Sequence, residues 1–187
     1  MRLPDADPEK SPELAAAFAE FLRTRGIVSN VMRSFAHAPK GLAGIVDLGG
    51  YCRYHTDLSE LQKELVILIT GRGVDYAWAH HAPLGLKAGL SEAQLAAIRA
   101  GQVPQGLSGA DQALADYVFA YAALKGVPDD VFGRLAAQFT PRQVTDINIT
   151  SGYYLMIASS IIAMQVEPDP AHVRVAGVQF QDARRGG

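Results

Sequence analysis

Apolar residues recur along this chain at intervals of three and four positions, which places them on one face of an α-helix. Leu61, Leu65 and Leu68 show the pattern clearly, and similar groups occur from the first segment to the last. β-Branched residues do not alternate with polar ones over any sustained run, so the sequence offers no convincing strand. The pattern therefore predicts an all-α fold.

Caps and breakers divide the chain into a series of predicted helices. Serine or threonine followed by proline is typical of a helix start, and glycine is typical of the position after a helix end. We predict a first helix that begins at Ser11-Pro12 and a long final helix that begins at Thr140. Between them, in chain order, we predict seven helices: Val31 to near Pro39, Leu42 to Tyr54, Asp57 or Ser59 to Ile69, Tyr76 to Lys87, Ser91 to near Gly101, Ser108 to Lys125 and Asp129 to Gln138.

Length and composition are those of an ordinary globular domain. The chain has 187 residues, of which 49% are hydrophobic and 19% are charged. It shows no internal repeat, and its Pro/Gly clusters are short connections rather than a linker between domains. We therefore expect a single all-α domain over residues 1–187, with a core from about residue 11 to 167 and an extended or mobile tail over residues 168–187.

Net charge and the lack of a targeting signal limit which partners and which cellular location we expect. The net charge is −2 and no long run has one sign, so we expect neither a nucleic-acid nor a membrane partner. Cys52 is the only cysteine, which excludes a disulfide within the chain. Residues 1–7 lack the apolar run of a secretory signal, and the apolar residues 147–166 are interrupted by polar ones, which favours a core helix. We expect a cytoplasmic protein.

Glu64, His80 and His81 are the strongest candidates for chemistry. Glu64 lies in an apolar helical run, where a carboxylate is costly unless it is paired or functional. Its spacing fits either an inward position or a surface position paired with Lys or Arg. Adjacent helical residues point about 100° apart, so one histidine faces a pocket or interface and the other lies nearer solvent. An acid–base site and a hydrogen-bonded structural histidine both remain open.

The sequence gives less support to a metal site, a serine hydrolase site or a nucleotide-cofactor site. His37, His55, His80 and His81 show neither H-x-x-x-H nor H-E-x-x-H spacing, which disfavours a metal site. No serine lies in G-x-S-x-G, and no nicotinamide or flavin motif is visible. We therefore expect no metal and no cofactor. The pair Tyr153–Tyr154 in the last helix is able to supply phenol donors to a pocket, although such tyrosines are more often core or interface residues.

Three segments together carry a resemblance to a known family. Glu64–Leu68, then Gly73–His81, then Lys87–Glu92 resemble the carboxymuconolactone decarboxylase family, whose superfamily also includes the AhpD-like alkylhydroperoxidases. The resemblance extends over about Asn30–Pro168. It implies an all-α, AhpD-like helical bundle that forms homo-oligomers, often trimers or hexamers.

The resemblance also assigns site residues. The peroxidase branch uses a C-x-x-C pair with a glutamate and a following histidine. By resemblance, the glutamate corresponds to Glu64 and the histidine to His81, while the two cysteine positions fall on Val74 and Ala77. Neither Val nor Ala supplies a thiolate, so we expect disulfide-linked peroxidase chemistry to be absent.

The resemblance implies a cofactor-free acid–base enzyme that acts on a small anionic intermediate of aromatic catabolism. The family reaction removes CO₂ from an unsaturated lactone acid, and lactone isomerisation or hydrolysis would use the same groups. We expect His81 to be the general acid/base and Glu64 its orienting or proton-relay partner, with His80, Tyr76 and Trp78 as substrate contacts. The alternatives are a non-catalytic oligomeric binding or accessory protein on the same scaffold and, third, a residual peroxidase.

Overall fold

A computed structural model describes residues 1–169, apart from the side chains of residues 24 and 25, and every regular element in that part is helical. The helices pack as a bundle, and their polar connections are short. In chain order the elements are a 3₁₀ turn, Pro8–Lys10, and the helices α1 Pro12–Arg25, α2 Asn30–Arg33, α3 Pro39–Tyr54, α4 Glu60–Thr70, α5 Asp75–Ala88, α6 Glu92–Arg99, α7 Gly109–Ala122, α8 Asp129–Ala136 and α9 Pro141–Met164.

Local capping chemistry determines most helix ends. Ser59, Ser91 and Thr140 each form a capping box, in which the side chain accepts a backbone hydrogen bond and a glutamine at the third helical position returns one. Gly26 and Gly89 end α1 and α5 with φ of 77° and 114°, a left-handed conformation that strains residues with a side chain. These signals are local, and the sequence already predicted most of these boundaries.

Helix α4 forms the centre of the bundle. All its residues from Lys63 to Thr70 are buried, and it packs against α5, α7 and α9. The close crossing with α5 depends on Gly85, because a Cβ there would lie 2.8 Å from Leu68 Cδ1 and 3.1 Å from Leu90 Cδ1. This crossing holds the start of α5, with its histidines, beside Glu64 of α4.

Helix α9 is the long apolar helix that the sequence predicted. By length and composition alone it is apolar enough to cross a membrane. Its Asp146, Thr150 and Ser151 are completely buried against the rest of the bundle, as expected of a core helix. The C-terminal part of α9 also exposes apolar side chains, among them Ile162 at 64% exposure and Met156 at 39%.

Three predicted boundaries differ from the structure. The second helix is a single turn that ends at Arg33 instead of reaching Pro39, because residues after it form turns. The third begins at Pro39, since proline fits its first position, and the seventh ends at Ala122 rather than Lys125.

The expected tail over residues 168–187 lies outside the described residues, except for Pro168 and Asp169. Asp169 is only 6% exposed, and its carboxylate accepts a hydrogen bond of 2.9 Å from the backbone N–H of Asn30. Asp169, near the start of the expected extended or mobile tail, is thus held against the bundle by buried hydrogen bonds.

Candidate functional site

A cavity of about 380 Å³ lies among the helices α1 to α5, α9 and the segment between α1 and α2. Its wall is largely apolar and aromatic, and the volume is in the range of small-molecule sites. The polar or titratable side chains in that wall include Arg53, Tyr76, His80, His81, Tyr153 and Tyr154.

Glu64 lies directly behind this wall and links two of its residues. It is 1% exposed, so the inward of its two predicted orientations is the observed one. Arg53 Nη1 donates to Glu64 Oε1 over 2.6 Å, and His81 Nδ1 lies 2.9 Å from Glu64 Oε2. Because an ionised carboxylate only accepts, His81 carries its proton on Nδ1, which leaves Nε2 as the acceptor of the neutral ring.

Electrostatics keep the Glu64–Arg53 pair ionised. Burial raises the pKa of Glu64, but the hydrogen bonds and charges of His81 and Arg53 outweigh this effect, and the net pKa lies below its usual value. Burial lowers the pKa of Arg53, but the Glu64 carboxylate more than compensates and the net pKa is raised. Near neutral pH His81 therefore has an ionised hydrogen-bond partner, which fixes both its tautomer and its ring orientation.

Tyr76 and His80 form a second polar group in the wall, one turn apart on α5. Their rings stack with centroids 4.7 Å apart. The Tyr76 hydroxyl donates to Asp169, and His80 Nε2 lies 3.5 Å from Asp169 Oδ2. Burial and then the hydrogen bond to Asp169 raise the pKa of Tyr76 far above its usual value, so this phenol stays protonated. Tyr76 is thus a fixed hydrogen-bond donor rather than a proton-transfer group.

Trp78 is not among the described residues that line the cavity. It packs against the core cluster around α4, α6 and α7, and the Arg99 guanidinium lies 5.1 Å from its ring centroid. The structure therefore does not bring Trp78 together with the other predicted substrate contacts, Tyr76 and His80. Trp78 is two positions from both Tyr76 and His80, a rotation of about 200° that points it away from them.

Sequence reasoning missed Arg53 and Asp169 as site residues. Arg53 offered no signal beyond being a basic residue near a helix end, and Asp169 lay in the expected tail. Tyr154, which had been noted as a possible pocket donor, contacts His81 edge-on with ring centroids 5.8 Å apart. Its neighbour Tyr153 also lines the cavity.

The described part of the chain contains neither a pair of cysteines for thiol chemistry nor a cluster of side chains that could bind a metal ion. Val74 and Ala77 occupy the positions that the resemblance assigns to the peroxidase cysteines. Cys52 is 1% exposed, and burial raises the pKa of its thiol. Within residues 1–169 no group of three or more His, Cys, Asp or Glu side chains is arranged to hold a metal ion.

No protein-family model matches the chain, and no curated protein matches it significantly. Similar solved structures exist. An uncharacterized peroxidase-related protein from Silicibacter sp. TM1040 has 16% identity and a TM-score of 0.74, with 92% of each chain covered. The alkylhydroperoxidase AhpD core of Ralstonia eutropha JMP134, also described as peroxidase-related, has 15% identity and a TM-score of 0.74, with 96% of this chain and 97% of that chain covered.

A third similar structure is the debrominase Bmp8, here as a variant in complex with 2,3,4-tribromopyrrole. It has 14% identity and a TM-score of 0.71, with 92% of this chain and 94% of that chain covered. These similarities confirm the predicted fold class, an all-α AhpD-like helical fold. At such identities they show the fold alone.

Proposed function

We propose that this chain is a cofactor-free acid–base enzyme whose His81 transfers a proton to or from a small anionic ring compound. The observation that carries the proposal is the hydrogen bond between His81 and the buried Glu64 at the wall of the cavity. A histidine with a fixed tautomer and an available second nitrogen is the usual arrangement for general acid–base catalysis.

For an unsaturated lactone acid, the reaction is decarboxylation. The bond between the ring carbon and the carboxylate breaks, CO₂ leaves, and the electron pair passes into the conjugated lactone. His81, which has taken a proton from solvent at Nε2, donates that proton to carbon and returns to the neutral imidazole, and the product leaves with one hydrogen in place of the carboxylate. Glu64 is the positioning residue, since it touches His81 and lies behind the wall. Lactone isomerisation needs the same proton transfers without loss of CO₂.

The cavity supports a small ring as ligand. Its volume and its apolar, aromatic wall suit a planar molecule of limited size. The similar debrominase binds 2,3,4-tribromopyrrole, a small ring, on the same fold. Arg53 in the wall is a hydrogen-bond donor suited to the negative charge that develops on a lactone oxygen.

The alternatives have weaker support. A residual peroxidase would need a reactive thiol pair, and the chain contains only the buried Cys52. A non-catalytic binding protein would not require a buried carboxylate on His81, although a structural hydrogen bond would look the same. Conversion of a substrate by the purified protein distinguishes the enzyme from the non-catalytic binding protein.

We also propose that the chain forms homo-oligomers, as the family resemblance implies. The exposed apolar side chains Met156 and Ile162 near the C-terminal end of α9 are suitable contacts for a second copy. Light scattering of the purified protein tests this: a trimer or hexamer supports it and a monomer contradicts it.

The test of function is an NMR screen of unsaturated lactone acids, with substrate loss and new products followed over time. We expect the native enzyme to convert at least one compound, and His81→Gln to lower kcat by about 100-fold or more. His55→Gln is the matched control, because His55 is exposed at the end of α3 and outside the cavity. Equal rates for His81→Gln and the native enzyme would refute the proposal.

Glu64 needs a test that separates positioning from folding. We expect Glu64→Gln to lower kcat with a smaller change in KM and to alter the pH–rate profile, because the amide no longer fixes the His81 tautomer. Glu64→Asp keeps the charge and should restore part of kcat. A proportional loss of all activity with loss of folded protein in both variants would assign Glu64 a purely structural role.

A further inference from the structure

Arg53 is the only permanently charged side chain among the described residues that line the cavity. Its side chain is 17% exposed, near the last turn of α3. The rest of the described wall consists of apolar and aromatic groups, Ser29 and two histidines, and none of its described side chains is a carboxylate. Arg53 is the one fixed positive charge that the described wall presents to the cavity, and its carboxylate partner Glu64 lies behind the wall, so the cavity side of the guanidinium suits a ligand with negative charge.

The guanidinium is only partly used by the protein. It has five N–H donors, and Glu64 accepts the one hydrogen bond that it donates within the described chain. Glu60 lies 3.6 Å from Nη2, but its side chain is 62% exposed and solvated. Donors of Arg53 therefore remain for a ligand in the cavity.

The negative charge of Glu64 is also shared. One oxygen binds Arg53 and the other binds His81, so a single carboxylate serves two groups that are able to carry positive charge. When His81 holds a second proton, the trio of Arg53, Glu64 and His81 has a net charge of +1. An anionic ligand would neutralise this charge.

We propose that Arg53 binds a carboxylate of the ligand and thereby selects small ring carboxylates over neutral rings of the same shape. The inference rests on the proposed function and identifies the group that recognises its substrate class. Because Arg53 and His81 bind the two oxygens of the same carboxylate, both act at the same end of the cavity. Tyr154 lines the same cavity and its ring centroid is 5.8 Å from that of His81, so an aromatic surface for the ring lies next to His81.

The test compares benzoate with benzamide, two rings of similar shape of which only benzoate is charged. Binding of each is measured by NMR titration of the native protein, Arg53→Met and Arg53→Lys. The matched control is Arg134→Met, because Arg134 is half-exposed and pairs with Asp130 outside the cavity. All four proteins are first compared by circular dichroism and thermal unfolding.

We expect the native protein and Arg134→Met to prefer benzoate to benzamide. Arg53→Met should weaken benzoate binding roughly 10- to 100-fold, the effect of losing a charge-assisted hydrogen bond, while benzamide binding changes little. Arg53→Lys keeps the charge but loses the planar fork, so its benzoate affinity should lie between the two. It also serves as the test variant if Arg53→Met does not fold.

Three results would overturn the inference: no preference for benzoate in the native protein, an unchanged preference in the Arg53 variants, or an equal loss of both ligands. The last would mean that Arg53 only supports the cavity. Benzoate binding does not require turnover. If the preference follows Arg53 but His81→Gln leaves conversion of lactone acids unchanged, the proposed function fails while the carboxylate site stands.

Discussion

Replacing Glu64 with glutamine tests the buried centre of the site. The substitution keeps the shape of the side chain and removes its charge. The Arg53 guanidinium then loses its ionised acceptor at 2.6 Å, and the amide group that replaces Oε2 donates instead of accepting toward His81 Nδ1. One cation is left without its buried partner, and one histidine must change tautomer.

The size of the effect follows from burial. A hydrogen bond between charged groups contributes roughly 1.5–3 kcal/mol, and removal of one member of a buried ion pair costs roughly 3–5 kcal/mol. The lower desolvation cost of an amide and the nearby Glu60 offset part of this. We therefore expect Glu64→Gln to lower the free energy of unfolding by about 2–4 kcal/mol.

The assay is urea denaturation near neutral pH, followed by far-UV circular dichroism. Glu60→Gln is a close control, because Glu60 lies on the same helix and faces the same arginine but is 62% exposed. Glu60→Gln should lower the free energy of unfolding by no more than about 0.5 kcal/mol, as expected for a solvated surface pair. If Glu64→Gln were as stable as the native protein, or if both variants lost the same amount, the buried pair would not hold the site together.

Further predictions concern pH, packing and redox chemistry. The pKa of Glu64 is lowered in the folded state, so the stabilisation by its charge is complete above the unfolded pKa and is lost as pH falls through the folded pKa. The difference in stability between the native protein and Glu64→Gln should therefore narrow as pH falls below the usual glutamate value of 4.5 in urea titrations, and a constant difference would contradict this. Gly85→Ala should lower stability by about 1–3 kcal/mol in the same assay, because its Cβ would crowd Leu68 where α5 crosses α4; an unchanged midpoint would refute that packing. Peroxide consumption with a dithiol should be absent from both the native protein and Cys52→Ser, and a rate that disappears in Cys52→Ser would restore the peroxidase alternative.

The helices were predictable because their determinants are close in sequence. The capping boxes at Ser91 and Thr140 depend on residues three positions apart, and Gly89 ends α5 through its own backbone conformation. Boundaries failed where the chain forms isolated turns, as after Arg33. Such turns carry little periodicity.

The site was only partly predictable, because its contacts join distant positions. Spacing within α4 left the direction of Glu64 undecided, and only packing against α3 and α5 buries it beside Arg53 and His81. Asp169 is 93 residues from Tyr76 in the chain, and its polar neighbours suggested a tail. Trp78 was included because it is three positions from His81, but the cavity lies on the Tyr76 and His80 side of α5.

The most direct test of the central claim is deuterium incorporation at carbon. Unsaturated lactone acids are incubated with the protein in D₂O, and the loss of each C–H signal is followed by ¹H NMR. If His81 transfers protons between substrate and solvent, the native protein will place deuterium at one carbon of a substrate or its product. Folded His81→Gln should incorporate deuterium at least about 100-fold more slowly. Equal rates in the two proteins, or no incorporation by the native protein, would contradict the account.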